Sequence, residues 1–287
     1  MPTDKGISCI VVSYNCLETL KNCLNILKSQ KEVDIEIIVV DNDSNDGTRN
    51  YLSKQDFKVV LPERNLGYGA AVNLGATRAL GKYLFILNPD TEFDSSTLAD
   101  LLRFAESDEK AGLISPLLRF PDGRIQLAAR NFPGRLNFLM GRGSPLFKLG
   151  ITDEQKAGYI EFTGDQPTEV PVISATAFMI KRELFEKIGG FDARYFLYVE
   201  DIDLCRAVQD RGMKIVILPA VCVIHEWGGS SRGRRYFALY HHHRSVWKYF
   251  RKHYPDEWFF NIMLLLALVF GFVVNSMLTA LKVRGKN

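Results

Sequence analysis

The stretch GKYLFILNPDT, residues 81–91, decides the fold. Tyr83 to Leu87 is a short, almost wholly apolar run, which predicts a strand buried on both faces of a mixed or parallel sheet. It stops at Asn88, Pro89 and Asp90, and the C-terminal edge of such a strand is where open α/β sheets bind ligands. Two oxygen-bearing side chains around a rigid proline can hold a hard cation and, through it, a diphosphate. Taken alone, the same residues also read as an Asn-Pro turn with a surface Asp.

Upstream, ISCIVV breaks at Ser13-Tyr14-Asn15, and Leu17 to Leu27 follows with apolar residues at helical spacing. A second strand, Ile35 to Val40, ends in the acidic and amide loop Asp41-Asn42-Asp43-Ser44-Asn45-Asp46-Gly47-Thr48. Val59 and Val60 offer a third strand. Asn65-Leu66-Gly67-Tyr68-Gly69-Ala70-Ala71 then opens a helix that carries Asn73 and ends near Leu80 and Gly81. Strand, polar loop and helix repeat at α/β spacing, so a mostly parallel sheet between helix layers is expected, with its loops along one edge.

Downstream, Ser95 or Ser96 caps a helix running to about Phe104, and Leu113 to Leu118 is another strand. From Phe120 to Gly164 the pattern dissolves into Gly, Pro and Arg, with Gly134, Gly141, Gly143 and Pro145 among single hydrophobics, a loop-rich segment suited to meeting an acceptor or membrane. VPVISATAFMI, Val170 to Ile180, reads as one strand; a helix at Arg182 to Ile188 is closed by Gly189-Gly190. Aromatic residues then lead into Glu200, Asp201 and Asp203 at the start of a helix. Acids suit a helix N-terminus, so Asp203 reads equally as a cap or as a functional group. Glu200 and Asp201 follow an apolar run, where a raised pKa and general-base work become possible. Ile215 to Ile217 and Cys222 to Ile224 are two more strands, and His225 directly follows the second, ahead of Trp227, Gly228 and Gly229. A lone His is commonly a packing residue, but beside a cation and a diphosphate it is a candidate ligand.

The 287 residues suit one large α/β domain with an appended segment, and no internal repeat is found. A net charge of +3 gives no case for nucleic acid. Five cysteines without zinc spacing or a CxxC pair, and no signal-like N-terminus, predict a reducing, cytoplasm-facing protein. Near the end, Arg232, Arg234, Arg235, Arg244, Lys248, Arg251 and Lys252 precede Trp258-Phe259-Phe260 and an apolar run to Leu281. A helix of that length matches a bilayer core of roughly 30 Å, with basic and aromatic residues at the near interface. Lys282, Arg284 and Lys286 beyond it leave open an in-plane helix or one packed in a homodimer. His241-His242-His243 point to different faces of a helix and read as a polar surface patch.

Six pieces together, VVSYN (Val11 to Asn15), VVDNDSNDGT (Val39 to Thr48), NLGYGAAVN (Asn65 to Asn73), LNPDT (Leu87 to Thr91), IGGFDARYFLYVEDIDLCRA (Ile188 to Ala207) and the His225 segment, resemble the family 2 glycosyltransferases. Those are inverting enzymes of the GT-A fold that use nucleotide-sugar donors. NPDT joined to FLYVEDIDL looks most like their rhamnosyltransferase-like branch, which acts on cell-surface polysaccharide or lipid-linked glycans. The resemblance implies a GT-A domain over residues 1–232, with a nucleotide-sugar half at 1–118 and an acceptor and catalytic half at 119–232. Residues 233–287 would then be a basic helical segment and membrane-associating tail.

By that resemblance Ser13, Tyr14 and Asn15 lie beside the nucleotide, Asp41 accepts from the base N3–H with Asn42 and Asp43 nearby, and Gly67, Tyr68 and Asn73 border the donor. Gly67 would allow close backbone approach. Asn88 and Asp90 stand at the family's Asp-x-Asp metal motif, with Asn replacing the first Asp. Asp201 matches the catalytic base, Glu200 is its partner, and His225 completes the metal shell. The implied cofactor is Mg²⁺ or Mn²⁺; the donor is a nucleotide-diphosphate sugar, with dTDP-rhamnose the first choice. The acceptor is a lipid-linked or polysaccharide hydroxyl at the cytoplasmic face of the membrane. Two other classes remain: an inactive nucleotide-sugar-binding scaffold, and a dinucleotide oxidoreductase argued from Gly67-Tyr68-Gly69. The latter lacks GxGxxG after the first strand, and no nucleophile-elbow sequence supports covalent catalysis.

Overall fold

The computed structural model describes residues 6–134, 146, 150–153, 155, 157–162, 164–226 and 235–284. Gly141, Gly143 and Pro145, the Trp227–Gly229 run, Arg232, Arg234, Lys286 and the domain boundary expected at 232 lie outside them. The elements are β1 (Ile7–Ser13), α1 (Leu17–Ser29), β2 (Ile35–Asp41), α2 (Thr48–Leu52), β3 (Lys58–Val60), α3 (Tyr68–Ala76), β4 (Tyr83–Leu87) and β5 (Thr91–Phe93). They continue with α4 (Thr97–Ser107), β6 (Ala111–Arg119), β7 (Ala129–Arg130), β8 (Thr168–Glu169), β9 (Val172–Ile173), β10 (Ala177–Lys181) and α5 (Arg182–Lys187). The last are α6 (Glu200–Gln209), β11 (Lys214–His225), α7 (Arg235–His253) and α8 (Trp258–Arg284).

The central sheet has the order β3-β2-β1-β4-β10-β6-β11-β5, with β8 added on β11. β1, β2, β3 and β4 are parallel, as are β6 and β11, while β10 runs antiparallel between β4 and β6. Two reversals around β10 restore the original direction, so β1, β2, β4, β6 and β11 all end at one edge. The alternation of side chains along each strand splits the core in two. Ile10, Ile38, Leu84 and Ile86 face α3, α6 and α7. Cys9, Val11, Val39 and Phe85 face α1 and α4. This is the mostly parallel sheet between helix layers that the strand–loop–helix repetition predicts, with one apolar C-terminal helix appended.

Four local expectations are corrected. The helix expected to reach Leu80 ends at Ala76, because the buried Glu36 side chain accepts from the Leu80 N–H (2.6 Å) and the Gly81 N–H (3.2 Å) and turns the chain into β4. Val170 to Ile180 is not one strand: it breaks at Ser174-Ala175-Thr176, with β9 pairing β7 and β10 entering the main sheet. The two strands expected at 215–217 and 222–224 are one, β11, with a register shift between Leu218 and Cys222. Pro219 lies inside that shift and has no N–H to give a ladder. Ser96 sits at the N-cap of α4 without a side-chain cap bond.

Candidate active site

The edge where the parallel strands end gathers four loops, and local strain marks it. Among the described residues, the non-glycine positions with positive φ are Asn15, Asp43, Tyr198 and Val199, at +50°, +76°, +65° and +71°. All four flank residues singled out by sequence. Asn and Asp tolerate this region through short polar side chains, whereas a β-branched Val there costs roughly 1–2 kcal/mol. Such strain persists only where surrounding contacts impose it, typically at functional sites.

At the end of β2, Asp41 is fully buried; one carboxylate oxygen accepts from Arg49 Nε at 3.0 Å and the other, Oδ1, meets no donor. A buried acceptor without a donor suits an N–H on a ligand. Arg49 also reaches Asp43 (3.3 Å), so it ties the two acids at this loop together. Ser13 is buried against Cys16 Sγ, and Asn15 bridges to the neighbouring loop, its Oδ1 accepting from Asn45 N–H and its own N–H donating to Ser44. Tyr14 lies half-buried between them.

Three residues expected to border a donor are occupied in holding the loops. Asn42 Oδ1 accepts from Leu66 N–H (2.8 Å), and its amide donates to Asn65 and to the Gly67 carbonyl. Gly67, at φ +84°, is a glycine because a Cβ would stand 2.3 Å from the Phe196 carbonyl oxygen; the backbone it approaches is the protein's own. Asn73 is clamped by Phe191 at both ends of its amide, at 2.7 and 2.9 Å. The Leu66 and Gly67 backbones explain Asn42, and the distant Phe196 and Phe191 backbones explain Gly67 and Asn73.

Asp90 and His225 meet because β4 and β11 end at the same edge. His225 Nδ1 is 2.9 Å from Gln126 Oε1; an amide oxygen only accepts, so Nδ1 carries a proton and, in the neutral ring, Nε2 presents a lone pair. Nε2 stands 3.4 Å from Asp90 Oδ1, which is buried without a hydrogen bond. Two acceptors face one another, an arrangement a cation between them would satisfy. Gln126 fixing the tautomer from behind is how metal-ligating histidines are held. Among the described residues no three His, Cys, Asp or Glu side chains converge, so the chain itself offers Asp90 and His225, with the half-buried Asn88 two residues before Asp90.

Glu200 and Asp201 begin α6. Glu200 Oε2 is buried without a partner. Burial, and then the neighbouring Asp201 charge, raise the Glu200 carboxyl well above the carboxylate range. Burial also raises Asp201, but Arg130 and the Ile202 and Ala175 N–H groups oppose it. Of this coupled pair Asp201 therefore ionises first, and Glu200 keeps its proton. The Ala175 carbonyl accepts from the Tyr68 hydroxyl at 2.7 Å. Burial, with the charges of Glu200, Asp201 and Asp90, holds that phenol protonated. The break at 174–176 lets Ala175 serve both Tyr68 and Asp201. Sequence reasoning missed Ala175, Arg49, Gln126 and Arg130; the last two lie in the segment that read as featureless loop.

Asp203, one turn into the same helix, is resolved in favour of structure. It accepts from Tyr195 (3.2 Å), Lys252 (2.7 Å) and His253 (2.7 Å), pinning α6 to α7. The histidine run is also not a plain polar patch: His241 stacks on Phe196 with ring centroids 4.3 Å apart, and His242 packs edge-on to Tyr198 at 5.6 Å.

Comparison with known proteins identifies the family and the fold. The sequence profile of Glycosyl transferase family 2 matches residues 8–189. An N-acetylglucosaminyl-diphospho-decaprenol L-rhamnosyltransferase of Mycobacterium tuberculosis is 27% identical over 266 residues, 87% of this chain and 85% of that one. The rhamnosyltransferase WbbL of Escherichia coli is 26% identical over 84% of this chain and 90% of its own. The mannosyltransferase PcManGT of Pyrobaculum calidifontis, solved with GDP-Man and Mn²⁺, superposes with a TM-score of 0.56 over 99% of this chain and 81% of its own, at 19% identity. The chain belongs to glycosyl transferase family 2, has the GT-A fold and is a glycosyltransferase.

Proposed function

We propose that this family 2 enzyme transfers rhamnose, from dTDP-rhamnose, to a hydroxyl of a lipid-linked glycan with inversion at the anomeric carbon. The observation that carries the reading is the Glu200–Asp201 pair, the first buried and the second half-buried, set on a strained turn, with Asp90 bearing on the same Tyr68 phenol and facing His225 at 3.4 Å. The rhamnosyltransferase names of the two relatives support the sugar, and the diphospho-decaprenol in one of them supports a lipid-linked acceptor.

The donor base would meet the unpartnered Oδ1 of Asp41, beside Ser13 and Tyr14. A divalent cation, Mg²⁺ or Mn²⁺, fits between Asp90 and His225, with Asn88 adjacent; when bound it offsets the charge gathering on the departing diphosphate. Asp201, ionised and held by two backbone N–H groups, takes the proton from the acceptor hydroxyl as that oxygen attacks the anomeric carbon. The sugar–phosphate bond breaks, and the electron pair leaves with the nucleoside diphosphate. Glu200, protonated beside it, keeps a second negative charge out of the pocket. Burial raises the basicity of Asp201 toward the working pH.

Among the described residues one helix, in α8 at Trp258–Met277, is long and apolar enough to cross a membrane, with mean hydropathy 2.2. We place it at the membrane, which brings the enzyme to a lipid-borne acceptor. The test is donor binding and transfer by the wild type and Asp201→Asn, with dTDP- and UDP-sugars, Mg²⁺ or Mn²⁺ and a lipid-extract acceptor. Retained metal-dependent donor binding with transfer abolished supports the mechanism. Transfer at the wild-type rate sinks the base assignment, donor binding without transfer by the wild type favours the inactive scaffold, and absence of nucleotide-sugar binding by either protein overturns the donor reading.

A further inference from the structure

α7 and α8 form an antiparallel hairpin that closes at both ends and gapes between. At one end the Tyr236 hydroxyl donates to the Ser276 carbonyl (3.5 Å); at the other, Phe250 meets Phe260 at 5.6 Å and Asn261 donates to Tyr254 O at 2.9 Å. Between them lies an open cleft of about 290 Å³, walled by Tyr240, Trp247, Leu265, Val269 and Phe272, with Arg244 at its lip. Its size is at the lower end for small-molecule sites, which start near 300 Å³.

Two features specify an occupant. The first is charge. Arg244 lines the cleft, is exposed and, among the described residues, has no carboxylate partner. A wall of carbon with a cationic lip matches an amphiphile with an anionic head and a hydrocarbon tail. The second is position. The opposite face of α7 holds the loop that delivers the acid pair: His241 stacks on Phe196, Ser245 donates to Leu197 O at 2.9 Å, and Lys248 donates to the Arg194 carbonyl. One helix, roughly 10 Å across, separates the cleft from that loop. A head group at the lip therefore sits one helix away from the loop that leads into Glu200 and Asp201, and α8 beside it exposes Phe259, Leu266 and Phe270 as a lipid-facing surface would.

We propose that the α7–α8 cleft holds the isoprenoid chain of the acceptor lipid, with its diphosphate at Arg244. This rests on the transfer reading above for its purpose, but not for its detection. The test uses full-length protein in phosphatidylcholine nanodiscs and a benzophenone-tagged farnesyl diphosphate, mapping the crosslinks by mass spectrometry.

Labelling should fall on α7 and α8 around Trp247 and Leu265, and yield to unlabelled farnesyl diphosphate at concentrations where farnesol, inorganic diphosphate and phosphatidylglycerol do not compete. Arg244→Glu, which reverses an exposed charge, and Val269→Trp, which fills the cleft, should each cut labelling about tenfold, the scale of one lost charge-assisted contact. Labelling elsewhere, equal competition by phosphatidylglycerol, or full labelling of both variants overturns the proposal. UDP and dTDP binding is measured alongside. Specific labelling without any nucleotide binding would keep the lipid site and sink the transfer reading.

Discussion

β2 carries a buried carboxylate at each end, and the two are treated in opposite ways. Glu36, at its start, accepts from Ser8, Leu80 N–H and Gly81 N–H on one oxygen and from Lys58 (2.6 Å) on the other. Asp41, at its finish, has one oxygen on Arg49 and one with no donor. The same contrast repeats within one turn of α6, where Asp203 is saturated by Tyr195, Lys252 and His253 while Glu200 keeps an orphaned oxygen. Some acids thus hold the chain together, and others at the loop-bearing edge keep unfilled acceptors. A carboxylate's residue type and its burial are shared by both groups; what separates them is whether the fold supplies donors.

The comparison breaks most visibly at Asp201. Asp201→Asn should lower kcat by about 10²–10⁴-fold, the usual range for losing a general base, with donor affinity and melting temperature near wild type. A parallel fall in stability would put Asp201 with Glu36 instead. Because burial raises the Asp201 carboxyl, wild-type kcat/KM should fall as pH drops through a value above the ordinary carboxylate pKa of about 3.9, since the protonated acid cannot accept.

Gln126→Leu should weaken the apparent affinity for Mn²⁺ by about 10–100-fold, because the tautomer of His225 is no longer fixed. Metal titration of activity, and of dTDP binding, reads this out; an unchanged midpoint removes Gln126 from the site.

Replacing the two ends of β2 gives the direct contrast. Glu36→Gln should destabilise by about 2–3 kcal/mol in urea unfolding, since it strips charge from a carboxylate with four donors. Asp41→Asn should cost less than about 1 kcal/mol and weaken dTDP or UDP binding instead. For Glu36, burial would raise the pKa, but the hydrogen bonds from Lys58, Ser8 and Leu80 N–H outweigh it and lower it. Its contribution is therefore complete above the unfolded value of about 4.3 and lost as pH falls through the lower folded one.

The smallest effect is the most pointed. Glu200 has a raised folded pKa, so its penalty is absent in acid and grows as pH rises above the unfolded value. Glu200→Gln should stabilise at pH 8 by on the order of 1 kcal/mol and leave stability at pH 4 unchanged. No gain at pH 8 would mean that the Glu200 orphan is not a strained group.

Most of the strand–helix order was legible because apolar period and polar punctuation are local properties. Tyr83 to Leu87, buried throughout, is where the run GKYLFILNPDT predicts it. The misreadings have non-local causes. Leu80 leaves its helix for a carboxylate 44 residues earlier in the chain, and 174–176 breaks its strand where Ala175 serves both Tyr68 and Asp201.

By itself the sequence determined that the chain is a GT-A glycosyltransferase of family 2, since its six motifs each follow a strand or open a helix in a fixed order. It also determined which residues carry charge near a sheet edge. Only the tertiary structure decided which of those charges are spoken for. Asp203 and Asp201 differ by two positions in one helix turn, yet α7 meets one of them with Lys252 and His253 and leaves the other to backbone N–H groups and Arg130. Likewise Asn42, Gly67 and Asn73 lie in a motif that reads as donor-binding, and their side chains or missing side chain answer to loops more than 20 residues away. Hydrogen-bond partners are set by three-dimensional proximity, and no periodicity along the chain encodes it.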